Sequence, residues 1–146
     1  MSRMNRTTYF MSLAFLTAQR GTCPRLKTGC ILVENRRIVA TGYNSSHRAT
    51  PHCDETGCLM HEGHCIRCLH AEVSAVLNVG SRSNSELTAY VTHIPCAHCY
   101  KILTAAGVKH ILYKIHYPVE SKAYETLRKT IGVPMTEIKE HSTFYV

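Results

Sequence analysis

The stretch LTAYVTHIPCAHC, Leu87 to Cys99, decides how this chain folds. Its first seven residues alternate, with Leu87, Ala89 and Val91 on one side and Thr88, Tyr90 and Thr92 on the other, the period-two pattern of a strand. Pro95 opens a helix, because its ring presets the first-turn backbone and its missing N–H costs nothing there. The helical pattern runs to about Ala106 and stops at Gly107, a left-handed terminator. After this strand and helix, the β-rich run His110 to Ile115 reads as another strand.

Working outward, Glu120 to Ile131 reads as a further helix and Met135 to Lys139 as a last strand. Upstream, His70 to Val79 reads as a helix ending near Gly80, with Ala71, Ala75 and Val76 suited to packing on a sheet. Gly29 to Val33 and Arg37 to Thr41 are β-rich runs separated by Glu34-Asn35-Arg36 and closed by Gly42-Tyr43-Asn44, which predicts an antiparallel hairpin. Phe10, Leu13, Ala14 and Thr17 share one side of a core-facing N-terminal helix. Helices alternating with strands after a hairpin make an α/β architecture with a mixed sheet of about five strands. Between Ser45 and Cys65 periodicity is lost, and Pro51 and Gly57 break the chain; so long a stretch without regular structure needs an anchor.

With 146 residues, 45% apolar, and no break in composition, residues 1–146 are expected to form a single domain that buries roughly 70% of its unfolded surface. Eight cysteines without a secretory context fit a reduced, cytoplasmic, metal-binding protein better than a disulfide scaffold. Arg3 and Arg6 before the apolar stretch from Tyr9 to Ala18 imitate a signal peptide. Ser12 and Thr17 interrupt that stretch, however, and no cleavage pattern follows it. It is also too short to span a bilayer. A net charge of +7 favours polyanions, whether nucleotides or nucleic acid, and equally fits a solvated basic surface.

His70-Ala71-Glu72 and Pro95-Cys96-Ala97-His98-Cys99 carry the chemistry. Cys96 and Cys99 lie three apart in a first helical turn, so both sulfurs can reach one ion, and the helix dipole favours thiolate. With His70 they give three zinc ligands and leave a fourth position for water. Glu72 beside them can take and return a proton, provided burial raises its pKa. The set points to hydrolytic deamination of a nucleobase. His98 is not needed as a ligand and is expected to be an exposed or packing residue.

These motifs, together with Cys23-Pro24-Arg25, Gly42-Tyr43-Asn44 and Tyr90 to Cys96, resemble the deoxycytidylate deaminase family, bacterial and phage-type members above all, from about Arg6 to Ile131. The resemblance implies a three-layer α/β/α cytidine deaminase fold, catalytic Zn2+ on His70, Cys96 and Cys99, Glu72 as proton shuttle, and conversion of dCMP to dUMP. It also implies substrate contacts from Asn44, Arg25, Ala71 and Tyr117, and a homo-oligomer, a hexamer in the family. From the residues alone, Asn44 also suits a hairpin cap, Arg25 a surface charge and Tyr117 a core aromatic.

Cys23, Cys53, Cys58 and Cys65 match cysteines of the similar bacterial sequences, and four thiolates would make a structural Zn2+ site that anchors the long loop, residues 45–66. His52, His61, His64 and Cys68 compete as ligands, and free thiols are the metal-free alternative. Cys30 is expected in the core. The family commonly shows Gly-Tyr-Asn-Gly-x-Pro-x-Gly where this chain has Ser45-Ser46-His47-Arg48-Ala49 after Asn44, which puts binding of dCTP and dTTP effectors in doubt. Alternatives are a dCTP or 5-substituted dCMP deaminase, a nucleic-acid deaminase of the transfer-RNA adenosine type, favoured by charge alone, and a zinc-stabilised binding module, for which Glu72 has no use.

Overall fold

The computed structural model describes residues 2–81 and 86–140. In chain order its elements are α1 (Arg6–Ala18), β1 (Gly29–Glu34), β2 (Arg37–Tyr43), β3 (Ser45–Ser46), α2 (Cys53–Thr56), β4 (Met60–His61) and β5 (His64–Cys65). They continue with β6 (Cys68–Leu69), α3 (Ala71–Val79), β7 (Leu87–His93), α4 (Ala97–Ala105), β8 (Val108–Ile115), α5 (Lys122–Ile131) and β9 (Met135–Glu137). Five strands form one sheet in the order β2-β1-β7-β8-β9. β1 is antiparallel to both neighbours, whereas β7, β8 and β9 run parallel, so the sheet is mixed as expected.

Helices cover both faces. On one, Phe10, Met11 and Ala14 of α1 pack with Ile31, Val33 and Tyr90. On the other, Ala71 and Ala75 of α3, Tyr100 and Leu103 of α4 and Tyr124 of α5 pack with Cys30, Leu32, Leu87, Ala89 and Val91. Sheet residues thus sort by parity, and the layers are α/β/α. Met11 and Ala18, rather than Leu13 and Thr17, complete the buried stripe of α1.

The β1–β2 turn is tighter than expected: Glu34 pairs with Arg37, and Asn35 and Arg36 take positive φ of 48° and 66°, the primed-turn geometry that suits strand twist. α5 begins at Lys122 rather than Glu120 because the Ser121 side chain accepts the Tyr124 N–H at 3.1 Å. Gly42 brings β2 against α3, where a Cβ would run into the Ala71 carbonyl oxygen and the Ala75 nitrogen.

The segment from 45 to 69 is more ordered than its lack of periodicity suggests. β3 pairs with β6, β4 with β5, and α2 is a single turn between them. Arg67 clamps the segment by donating to Thr56 Oγ1 and the Gly57 carbonyl, each at 2.8 Å. Among the described residues no helix is long and apolar enough to cross a membrane.

Candidate active site

α3 and α4 start side by side. His70 and Cys96 are their N-caps, both with extended backbone and neither using its side chain to cap. Each side chain is therefore free to reach off its helix end. Cys99 follows one turn into α4, and the Tyr124 hydroxyl of α5 donates to the Pro95 carbonyl at 2.9 Å, fixing the approach to Cys96.

His70 Nδ1 lies 3.3 Å from Cys99 Sγ and 3.9 Å from Cys96 Sγ, and the three ligand atoms all fall within 4.8 Å of one another. Around one tetrahedral zinc, ligand atoms stand ~3.5–3.8 Å apart given the usual Zn–N and Zn–S lengths. The donor set and its spacing fit that ion. The Cys96 thiol is held down at about 3 by the hydrogen bond from Cys99 and by His70, while the neighbouring Cys96 thiolate and burial push Cys99 up.

Glu72, in the first turn of α3, is only 6% exposed. Burial raises its carboxyl above the usual range, against the lowering effect of its own backbone N–H and of His70. A proton shuttle near neutral pH needs that direction of shift.

A cavity of about 420 Å³ opens over this carboxylate, and Arg25, Asn44, His70, Glu72 and Tyr117 all line it. Asn44 also works as a structural clip: its Nδ2 donates to the Leu26 carbonyl at 2.6 Å and its Oδ1 accepts the Thr28 N–H at 2.9 Å. Arg25 is exposed and donates to Met60 Sδ at 3.4 Å. Tyr117 is pushed up to about 12, by burial first. Ala71 is fully buried in the core and does not line the cavity. His98 is exposed and Cys30 is in the core.

The cavity includes residues that sequence reasoning missed, His93, Thr28 and Leu26 among them, and His64 enters as a wall residue. For His93 a signal existed: it continues the Leu87-Ala89-Val91 side of β7 as a polar residue at the carboxyl end of a parallel strand, where α/β sheets place their ligands. A larger, open hollow of about 800 Å³ lies along α5 and Gly132–Met135, away from the Cys/His clusters.

A second cluster anchors the 45–69 segment. Cys53 Sγ lies 3.7 Å from Cys65 Sγ and 3.9 Å from Cys68 Sγ, and Ser46 Oγ donates to Cys53 Sγ at 3.4 Å. Of Cys23, Cys53, Cys58 and Cys65, the structure closes Cys53 and Cys65 into a trio with Cys68 instead. Spacing along the chain could not show this, because the β3–β6 pairing carries Cys68 inward. Cys23 and Cys58 remain neighbours: Cys58 is pushed up to about 11 by burial and then by Cys23, Cys65 and Cys53. Burial works against a Cys65 thiolate, yet the N–H groups of Cys68, Arg67 and Leu59 bring it down to about 7. None of the eight cysteines forms a disulfide.

The geometry defines a class. The family profile described as the cytidine and deoxycytidylate deaminase zinc-binding region matches residues 4–115, and the chain belongs to that family. Its cofactor is zinc. Among individual relatives, ComE operon protein 2 of Bacillus subtilis is 37% identical over 143 residues, 95% of this chain and 74% of the relative. The deoxycytidylate deaminase of Schizosaccharomyces pombe is 34% identical over 138 residues, 88% of this chain but only 42% of that protein. The crystal structure of dCMP deaminase from cyanophage S-TIM5 in complex with dCMP and dUMP superposes with a TM-score of 0.77 at 27% identity, covering 94% of this chain and 100% of that one. The fold is the cytidine deaminase fold.

Proposed function

We propose that the chain catalyses the hydrolytic deamination of dCMP, in which dCMP and water give dUMP and ammonia. The observation that carries this reading is the buried, upshifted Glu72 carboxyl beside the His70–Cys96–Cys99 ligand set, at the floor of a cavity with Arg25 on its wall. The names of the yeast and cyanophage relatives support the substrate. His70, Cys96 and Cys99 would hold the ion, which when bound lowers the pKa of water to roughly 7. Glu72 takes one proton from the attacking water and delivers it to the ring nitrogen beside the attacked carbon, then carries the second proton of that water to the amino group, which leaves as ammonia. Arg25 faces the phosphate, and Asn44 orients the sugar while it holds the 22–28 wall.

Residues 1–146 act as one deaminase domain in the cytoplasm, where thiols stay reduced, and assemble as a homo-oligomer, a hexamer by family resemblance. The changed residues 45–49 alter or remove control by dCTP and dTTP. Cys53, Cys65 and Cys68 hold a second, structural zinc, with Cys23 or Cys58 as fourth ligand. The N–H groups that stabilise a Cys65 thiolate support that assignment.

Incubating the zinc-loaded protein with cytidine, dCMP, dCTP and a single-stranded oligonucleotide, while following ammonia, tests the proposal. Release is expected with dCMP; none from any mononucleotide overturns the reading. Glu72→Gln is expected to keep its zinc and lose about 10²- to 10⁴-fold in turnover. Wild-type rates in that variant would remove Glu72 from the mechanism.

A further inference from the structure

His93 is nine-tenths buried, at 9% exposure, yet lines the cavity. Its Nδ1 lies 2.8 Å from Thr92 Oγ1, which also accepts the Gly29 N–H at 3.1 Å. Thr92 is fully buried, and among the described residues His93 Nδ1 is the one acceptor within reach of its hydroxyl proton. Were His93 to donate instead, that hydroxyl would be buried with its proton unsatisfied, a costly arrangement. The hydroxyl therefore donates, Nδ1 accepts, and the imidazole proton resides on Nε2. Burial favours the same neutral ring. No protein acceptor meets Nε2 among the described residues, and Tyr117 stands edge-on to the ring, with centroids 6.1 Å apart.

We propose that His93 is a specificity-determining residue that donates its Nε2–H to an oxygen of the base or sugar of the bound nucleotide. This rests on the reading of the cavity as a pyrimidine-nucleotide site. Glu72 fixes the reacting end and the exposed Arg25 suits the charged end. His93 is held by Thr92, itself bonded to Gly29, and set against Tyr117 in the lining of the same cavity, so the oxygens left for its Nε2–H are those of the base and sugar. The contact is made with the ground state and the transition state alike, so its loss weakens binding without slowing the chemical step.

Steady-state kinetics with dCMP on zinc-loaded His93→Phe and His93→Gln test this. His93→Phe keeps an aromatic ring against Tyr117 but has no N–H, so KM is expected to rise about tenfold, with kcat within about twofold of wild type. Inhibition by inorganic phosphate, whatever its strength in the wild type, stays unchanged. His93→Gln restores a donor beside an acceptor for Thr92 and brings KM back to within about threefold of wild type. An unchanged KM in His93→Phe, a loss confined to kcat, or weakened phosphate inhibition would overturn the assignment. Absence of wild-type turnover on dCMP would instead strike the substrate reading, so the two failures are distinct. A residue that only supported the fold would lower the melting temperature of both variants and would not be rescued by glutamine.

Discussion

Burial in one cavity raises Glu72 and lowers His93, because in each case the charged form is the one that loses water. The His93 shift has a consequence for stability. Above an unfolded-state value of about 6.5, folded and unfolded chains both carry the neutral ring. On acidification the unfolded chain takes up the proton first, so stability is lost from that value downward until the folded-state value is reached. Glu72 works in the opposite sense, but it is common to wild type and His93→Phe. Between pH 7 and pH 5 the melting temperature of the zinc-loaded wild type is therefore expected to fall further than that of His93→Phe. Equal falls would mean that burial does not lower His93. At this scale the candidate ligands His70, Cys96 and Cys99, with Glu72 beside them, were legible because they sit at fixed offsets in two short motifs, and that arrangement follows from helix starts. His93 showed in sequence only as the polar end of the Leu87-Ala89-Val91 side of β7, because Gly29 and Tyr117, which complete its surroundings with Thr92, come from distant parts of the chain.

α3 carries both His70 and Glu72, and its position against the sheet depends on Gly42. An added methyl there meets backbone atoms of Ala71 and Ala75 rather than a flexible side chain, so the helix itself must move. Gly42→Ala is expected to cost about 1–3 kcal/mol, read from the denaturant midpoint, and to reduce kcat/KM up to about 10²-fold as the first turn of α3 shifts. Leu77→Ala, on the exposed side of the same helix, should change stability by less than about 0.5 kcal/mol. If Gly42→Ala matched Leu77→Ala in both readouts, the contact would not position the site. The large elements were readable because their signals are long. β7 spans Leu87–His93 as its alternation predicts, and Gly107 and Gly132 terminate α4 and α5 where terminators were expected or suit the end. Helix starts moved by one or two residues: the Ser121 side chain caps α5, and α4 begins only after the extended backbone of Cys96. β3 to β6 are two residues long, too short for any periodicity, and only their pairing brings Cys65 and Cys68 toward Cys53.

The 45–69 segment has no apolar core of its own: Leu59, Met60 and Ile66 are exposed, and what is buried is Cys53 and Ser46. With the proposed structural zinc on Cys53, Cys65 and Cys68, such a segment would gain its order from the ion, because binding free energy then becomes folding free energy. Its residues Gly63, His64, Cys65 and Cys68 also form one wall of the substrate cavity. Structural cluster and active site are thus mechanically joined, and loosening the first should open the second. The wild type is expected to carry about two zinc ions per chain, and Cys68→Ser about one. Cys68→Ser should also become sensitive to proteases between residues 54 and 64 and show a raised KM for dCMP, while the sheet keeps its far-ultraviolet dichroism. Cys30→Ser, a change inside the core, should retain both ions. Two ions and wild-type protease resistance in Cys68→Ser would remove Cys68 from the cluster. One ion in the wild type would mean that the wall is held by hydrogen bonds such as those of Arg67 and Ser46 alone.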